Sequence, residues 1–169
     1  MGPIGHSLVS AGVGAAVWGA TGSPTAGGVA VGVGVLVDVD HLYDFYNWYV
    51  RGKRRKLHIV LHGWEYSIVG FLVLGLAFYH PLLLAAAVSH FAHVASDHLR
   101  NGLTTFGYSL IYRAAVGFDA SVPAPDSDVT LSYRSWVHMF PMGHMLEPWF
   151  RRRIEPWILR RLKDPTDSD

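Results

Sequence analysis

The sequence predicts an all-α protein: a membrane-embedded bundle of four main helices in two hairpins, followed by an amphipathic interfacial helix at the carboxyl end. Three observations carry that expectation. No Asp, Glu, Lys or Arg occurs in residues 1–37 or 66–96. Charge-free blocks of about 30 residues fit hairpins of apolar helices, since a bilayer core asks for about 20 apolar residues per span. Turn residues interrupt each block, at Thr21-Gly22-Ser23-Pro24-Thr25 and at His80-Pro81. Beyond Leu131, Trp136, Phe140, Trp149, Phe150 and Trp157 alternate with Arg151, Arg152, Arg153, Arg160 and Arg161, the composition of a helix lying in a membrane interface. The alternative is a soluble bundle with a buried hairpin, because Gly, Ser and Pro leave each apolar piece short.

Taken in order, Gly5–Ala20 reads as a first helix whose small residues (Ala11, Gly12, Gly14, Ala15, Ala16) allow close helix contact. No basic region precedes it, so a secretory signal is a poor fit. Ala26–Val37 is ambiguous, with valines alternating at a strand period. A lone strand in a bilayer would leave its backbone unpaired, so a second helix is expected. Leu42–Val50 is aromatic and amphipathic. The basic stretch Arg51-Gly52-Lys53-Arg54-Arg55-Lys56 marks the cytoplasmic side by the positive-inside rule. Leu57–Tyr79 is the third helix and Leu82–Leu99 the fourth, stopped at Asn101-Gly102. Phe106–Val116 suggests a short helix. The chain thus divides into a helical bundle (1–118), a loop (119–130), the aromatic and basic segment (131–163) and a polar tail (164–169).

Histidines and acids cluster at the helix ends. If helical, His58, His62 and Glu65 share one face at i, i+4 and i+7; His93 and Asp97 share another at i and i+4. Asp38-Val39-Asp40-His41 follows the second helix, and His6 begins the first. Up-and-down connectivity brings all four sets to one end of the bundle, the end of the basic loop. Histidine with carboxylate is a donor set for a divalent ion, and unpaired carboxylates beside apolar helices are costly. The expected ligands are therefore His6, Asp38, Asp40, His41, His58, His62, Glu65, His93 and Asp97, holding one to three ions. Zinc suits them, with Mn2+ or Mg2+ as alternatives. A mutual His–Asp network without metal is the competing reading. His90 could equally be a core histidine, and His98 faces away from the His93 and Asp97 face. With no cysteine, thiolate sites and disulfides are excluded; a net charge of +1 gives no reason to expect nucleic acid as a partner.

The order Gly5-His6-Ser7, Asp38-x-Asp40-His41, His58 with His62, and His93-x-x-x-Asp97 resembles the membrane-bound metal-dependent hydrolases of the YdjM-like group, over residues 5–107. The layout is more faintly similar to that of zinc-dependent phospholipase C. These resemblances imply a metal-activated water attacking an ester, most readily a phosphoester of a lipid or lipid-linked substrate at the cytoplasmic face of a membrane. Asp38 or Glu65, if not a ligand, could then act as general base, and Arg100 with the basic loop could hold an anionic headgroup. Two other classes are open: a haem-binding membrane protein using paired histidines, and a noncatalytic membrane module that binds partners or anionic lipid.

Overall fold

Glycine and proline decide where the first helices stop and start. Helix α1 (Pro3–Thr21) ends at Gly22, whose φ of +66° is left-handed. Ser23 caps α2 (Pro24–Leu36), its hydroxyl accepting from the Ala26 N–H at 3.2 Å, with Pro24 in the first turn. The alternating valines are therefore helical. A 3-10 turn at Val37–Val39 joins α2 directly to α3 (Asp40–Tyr49). Then come α4 (Trp64–Leu76), α5 (Pro81–Arg100), α6 (Leu110–Ala115), α7 (Gly143–Arg153) and α8 (Glu155–Lys163). The structure, a computed structural model, describes residues 3–53, 55–126, 131, 134, 137 and 142–163, and no strand occurs among them.

Helix α5 is the hub, packing against α1, α2 and α4. Small residues allow it. A Cβ on Gly14 would lie 2.9 Å from the Gly27 carbonyl oxygen, and one on Gly27 equally close to that of Gly14, so the α1 and α2 backbones touch. A Cβ on Gly70 would lie 2.9 Å from that of Ala87, which joins α4 to α5 in the same way. The interior here is Val17, Ala26, Ala30 and Ala85, while Leu8, Trp18, Ile68, Val69, Leu72 and Leu76 point outward and are more than half exposed. Small side chains thus dominate this interior while large apolar ones lie on its outer faces. Among the described residues, Pro24–Tyr49 is the helical run long and apolar enough to cross a membrane by length and composition, and α4 is a shorter apolar helix.

A second core is built differently. Trp48, Tyr49, Leu57, Ile59, Val94, Tyr108, Ala120 and Ile158 pack together where α3, the 57–59 segment, the end of α5 and α8 meet. The basic loop is fastened to it: the Trp48 indole donates to the Lys56 carbonyl at 2.6 Å, and the Lys56 ammonium to the Gly117 carbonyl at 2.5 Å.

Three expected elements differ. The third helix begins at Trp64, seven residues later than the pattern predicts, because the backbone N–H groups of His58, Ile59 and Leu61 bond to carboxylates of α3 instead. The short helix contracts to Leu110–Ala115. Within the carboxyl segment, residues 143–163 form two helices, α7 and α8, parted at Ile154 with Pro156 in the first turn of the second. Trp136 and Phe140 of that segment, residues 127–130 of the loop and the tail 164–169 lie outside the described residues.

Candidate metal centre

Five elements deliver side chains to one place. The first turn of α1 supplies His6, one end of the buried stripe His6, Ser10, Gly14, Val17. The 3-10 turn after α2 and the start of α3 supply Asp38, Asp40 and His41. His62 ends the 3-10 turn Val60–His62 just before α4, and the end of α5 supplies His93 and Asp97. Their atoms form two overlapping sets: His6, Asp38, His93 and Asp97; and Asp38, His41, His62 and Asp97. In each, one donor atom per residue lies within 4.8 Å of every other. Asp38 and Asp97 belong to both.

The two central histidines face each other, their Nε2 atoms 3.2 Å apart. Each uses its other nitrogen as an anchor. His93 Nδ1 donates to the Gly34 carbonyl at 2.7 Å; since a carbonyl oxygen only accepts, that nitrogen carries the hydrogen. His62 Nδ1 donates to Asp40 Oδ2 at 3.1 Å, and the same oxygen accepts from the Leu61 N–H at 2.7 Å. In their neutral forms both rings therefore turn Nε2 lone pairs toward one spot. Carboxylates surround it: Asp38 Oδ1 is 3.5 Å from His62 Nε2 and 3.4 Å from His93 Nε2, while Asp97 Oδ2 is 3.4 and 3.7 Å from them. His6 stacks on His93 with centroids 3.9 Å apart and sets Nε2 3.0 Å from Asp97 Oδ1. His41 Nε2 stands 3.5 Å from Asp38 Oδ1.

Lone pairs so opposed need a positive centre between them, either a proton or a metal ion. In the absence of metal the proton serves. Burial alone would favour a neutral His62, but hydrogen bonds with Asp38, Asp40 and Asp97 outweigh it and raise this imidazole to about 10. Two further buried atoms, His6 Nδ1 and Asp40 Oδ1, have no hydrogen-bond partner among the described residues. The donor set of imidazole nitrogens and carboxylate oxygens fits a divalent ion, and this buried group could hold one. Asp38 and His41 are about a quarter exposed; His6, His62, His93 and Asp97 are buried. Access is from the Asp38 and His41 side.

Two residues expected at the site, His58 and Glu65, lie elsewhere. His58 is not in a helix; its Nδ1 donates to Asp44 Oδ1 at 2.7 Å, and its ring stacks on Phe118 at 5.0 Å. Ile59, between His58 and His62, has φ +30°, so the face expected to unite the two histidines does not form. Glu65 turns to α6: Oε1 accepts from the Ser109 hydroxyl at 2.6 Å and the Ile111 N–H at 3.1 Å, and Oε2 from the Leu110 N–H at 3.0 Å. Both its oxygens thus satisfy the first turn of that helix. Arg100 is exposed in the last turn of α5. His90 is a core histidine, its Nε2 donating to the Leu61 carbonyl at 2.7 Å and its Nδ1 accepting from Ser67 at 2.6 Å. The ring of His98 lies 5.9 Å from that of Trp64, in the second core.

Sequence reasoning missed Asp44, which is fully buried and receives the N–H groups of His58 and Ile59 at 2.9 and 2.8 Å. Its signal was present, since Asp44 stands one turn after Asp40 on the same helix. It also missed Arg113, whose buried guanidinium donates to the Gly107 and Ile59 carbonyls at 3.0 and 2.9 Å and so fixes the turn ahead of His62. No family model, curated protein or solved structure matches this chain.

Proposed function

We propose that this protein is a membrane-bound, metal-dependent hydrolase acting on a phosphoester of a lipid or lipid-linked substrate. One observation carries the metal: two buried Nε2 atoms 3.2 Å apart, each oriented by a hydrogen bond from its own Nδ1, with two carboxylates around them. Anchoring of this kind is how proteins present a neutral imidazole to a metal. His6, His93 and His62 supply nitrogen, and Asp38 and Asp97 would be shared if two ions bind. Mixed nitrogen and carboxylate donors favour zinc, with manganese or magnesium as alternatives. When bound, the metal would supply Lewis acidity to the phosphoryl oxygens and lower the pKa of water.

The remaining work falls to the chain. Where Asp38 is not itself a ligand, this most exposed carboxylate of the cluster is the group able to take a proton from the attacking water. Glu65 is not, because its oxygens are engaged by α6. His41 at the mouth can meet the leaving group, and the basic loop lies at the same end for an anionic headgroup. Membrane attachment is supported by the outward apolar faces of α1 and α4 and by the span-length run Pro24–Tyr49. The basic loop puts the centre on the cytoplasmic side in this reading. The resemblance to YdjM-like hydrolases points the same way. Haem is disfavoured, since Asp38 and Asp97 occupy the approach to both nitrogens.

The test is elemental analysis of detergent-extracted protein together with assays of phosphomonoester and phosphodiester hydrolysis before and after chelation. Stoichiometric divalent metal, with activity lost on chelation and restored by zinc, is expected. Folded protein that stays active without metal would end the proposal.

A further inference from the structure

Beside the metal cluster a groove of about 330 Å³ runs between α2 and α4 over the surface of α5. That is within the range of small-molecule sites, about 300–1,000 Å³. Its floor is hollowed by Ala86 and Ala87 and its walls include Leu36 and Tyr66. Leu36, Tyr66 and Leu61 are all more than a third exposed, so the groove is open along its length. We propose that it holds one hydrocarbon chain of the lipid whose phosphoester is presented to the metal cluster. This rests on the hydrolase reading and adds what selects the substrate.

Position argues for it first. Val37 and Leu61 line the groove, and the residues directly after them are Asp38 and His62. On two separate elements the apolar lining therefore gives way to the cluster within one residue. His90, also in the lining, fixes that junction by its hydrogen bond to the Leu61 carbonyl. Chemistry argues for it next. An apolar cavity whose lining residues Val37 and Leu61 adjoin Asp38 and His62 in the chain complements an amphipathic molecule with one polar end. A soluble phosphate would leave the groove empty. An extended peptide would bring backbone N–H and C=O groups against a lining that offers them few partners. Entry is consistent as well, because the walls belong to α2 and α4, whose residues Val35, Val69 and Leu72 are apolar and exposed. A chain in the bilayer could slide in sideways while its headgroup stays at the cluster.

Photolabelling of the zinc-loaded, full-length protein in nanodiscs, using phosphatidic acid with a diazirine in one acyl chain, tests this. Adducts are expected on the groove residues, Leu36 and Ala86 among them. Ala86→Trp, which fills the floor, should cut them by about tenfold, equivalent to about 1.4 kcal/mol, while metal content stays unchanged. Leu76→Trp, on the outer surface of α4, should leave labelling as it was. Adducts scattered over the outer faces of α1 and α4, or labelling indifferent to Ala86→Trp in folded protein, would overturn the proposal. Should Ala86→Trp not fold, competition on the unmodified protein decides: unlabelled phosphatidic acid must displace the probe, and glycerol 3-phosphate displacing it equally well would overturn the chain site. Groove labelling in protein that binds no metal would keep the chain site and remove the hydrolase reading, so the two failures are distinct.

Discussion

Two histidines four residues apart show what separates a candidate ligand from a structural group. Asp40 and Asp44 stand one turn apart on α3, and the segment 58–62 runs antiparallel to them, so Asp40 meets His62 and Asp44 meets His58. In both pairs a carboxylate takes the Nδ1 hydrogen and also holds the neighbouring backbone: the Leu61 N–H for Asp40, those of His58 and Ile59 for Asp44. The difference lies in what the rest of the ring faces. His62 is buried and turns Nε2 toward His93, Asp38 and Asp97, whereas the His58 ring rests on Phe118 and is partly exposed. A carboxylate behind a histidine orients it. What lies in front decides whether it can bind a metal.

The comparison breaks first at the shared carboxylate. Asp97→Ala removes a carboxylate common to both donor sets, so bound metal should fall below detection in elemental analysis, whereas Asp44→Ala should leave the stoichiometry intact. Asp44→Ala should instead unfold the protein more easily. Two buried backbone N–H groups and an imidazole lose their acceptor, at about 1–3 kcal/mol for each unsatisfied group, measurable as a lower urea midpoint. Asp40→Asn sharpens the contrast from the other side: loss of an orienting partner typically costs about 10–100-fold in metal affinity, read by competition with a chromophoric chelator. Should Asp44→Asn weaken metal binding as much as Asp40→Asn, the two stations would be equivalent after all.

Protons give a third test. Because His62 is raised from 6.5 to about 10 in the metal-free protein, its stabilising contribution is complete below about pH 6.5 and is lost as pH climbs toward 10. Metal-free protein should therefore melt at progressively lower temperature from pH 7 to 10. A metal ion must displace that proton, so binding at pH 7 should release about one proton, seen as a dependence of calorimetric enthalpy on the buffer's ionisation heat. His58 should add nothing to that release. A proton count near zero would mean that His62 does not meet the ion.

Much of this arrangement was legible beforehand, and the parts that were not share a cause. Charge-free runs and the Gly22-Ser23-Pro24 and His80-Pro81 breaks mark α1, α2 and α5 because those signals are local. Up-and-down connectivity then brings the ends carrying His6, Asp38, His62 and Asp97 together. The start of α4 was not legible, since the turn at 58–62 is made by the carboxylates of α3 and by Arg113, contacts 14 to 54 residues distant in the chain. Helical spacing of His58, His62 and Glu65 is a coincidence of a segment that is not helical until Trp64. Glu65 was misread for the same reason: its partner, the first turn of α6, is 44 to 46 residues further on. Periodicity reports what an isolated segment prefers. Buried carboxylates elsewhere in the chain can take over its N–H groups and impose another path.

The smallest expected effect concerns His58 itself. His58→Phe keeps the stack on Phe118 but removes the donor to Asp44, leaving a buried carboxylate with its two backbone N–H groups only; a charge-assisted hydrogen bond of this kind contributes about 1.5–3 kcal/mol. His58→Asn keeps a donor on a short side chain, and where that amide reaches Asp44 the loss should be below about 1 kcal/mol. Neither substitution should change metal content or the proton released on binding, because the His58 ring is committed to α3 and Phe118 rather than to the cluster. Loss of metal in His58→Asn with the urea midpoint unmoved would place His58 at the centre and erase the distinction between it and His62. Loss of stability with metal retained would fix the role of each histidine by its surroundings, since both have the same type of partner.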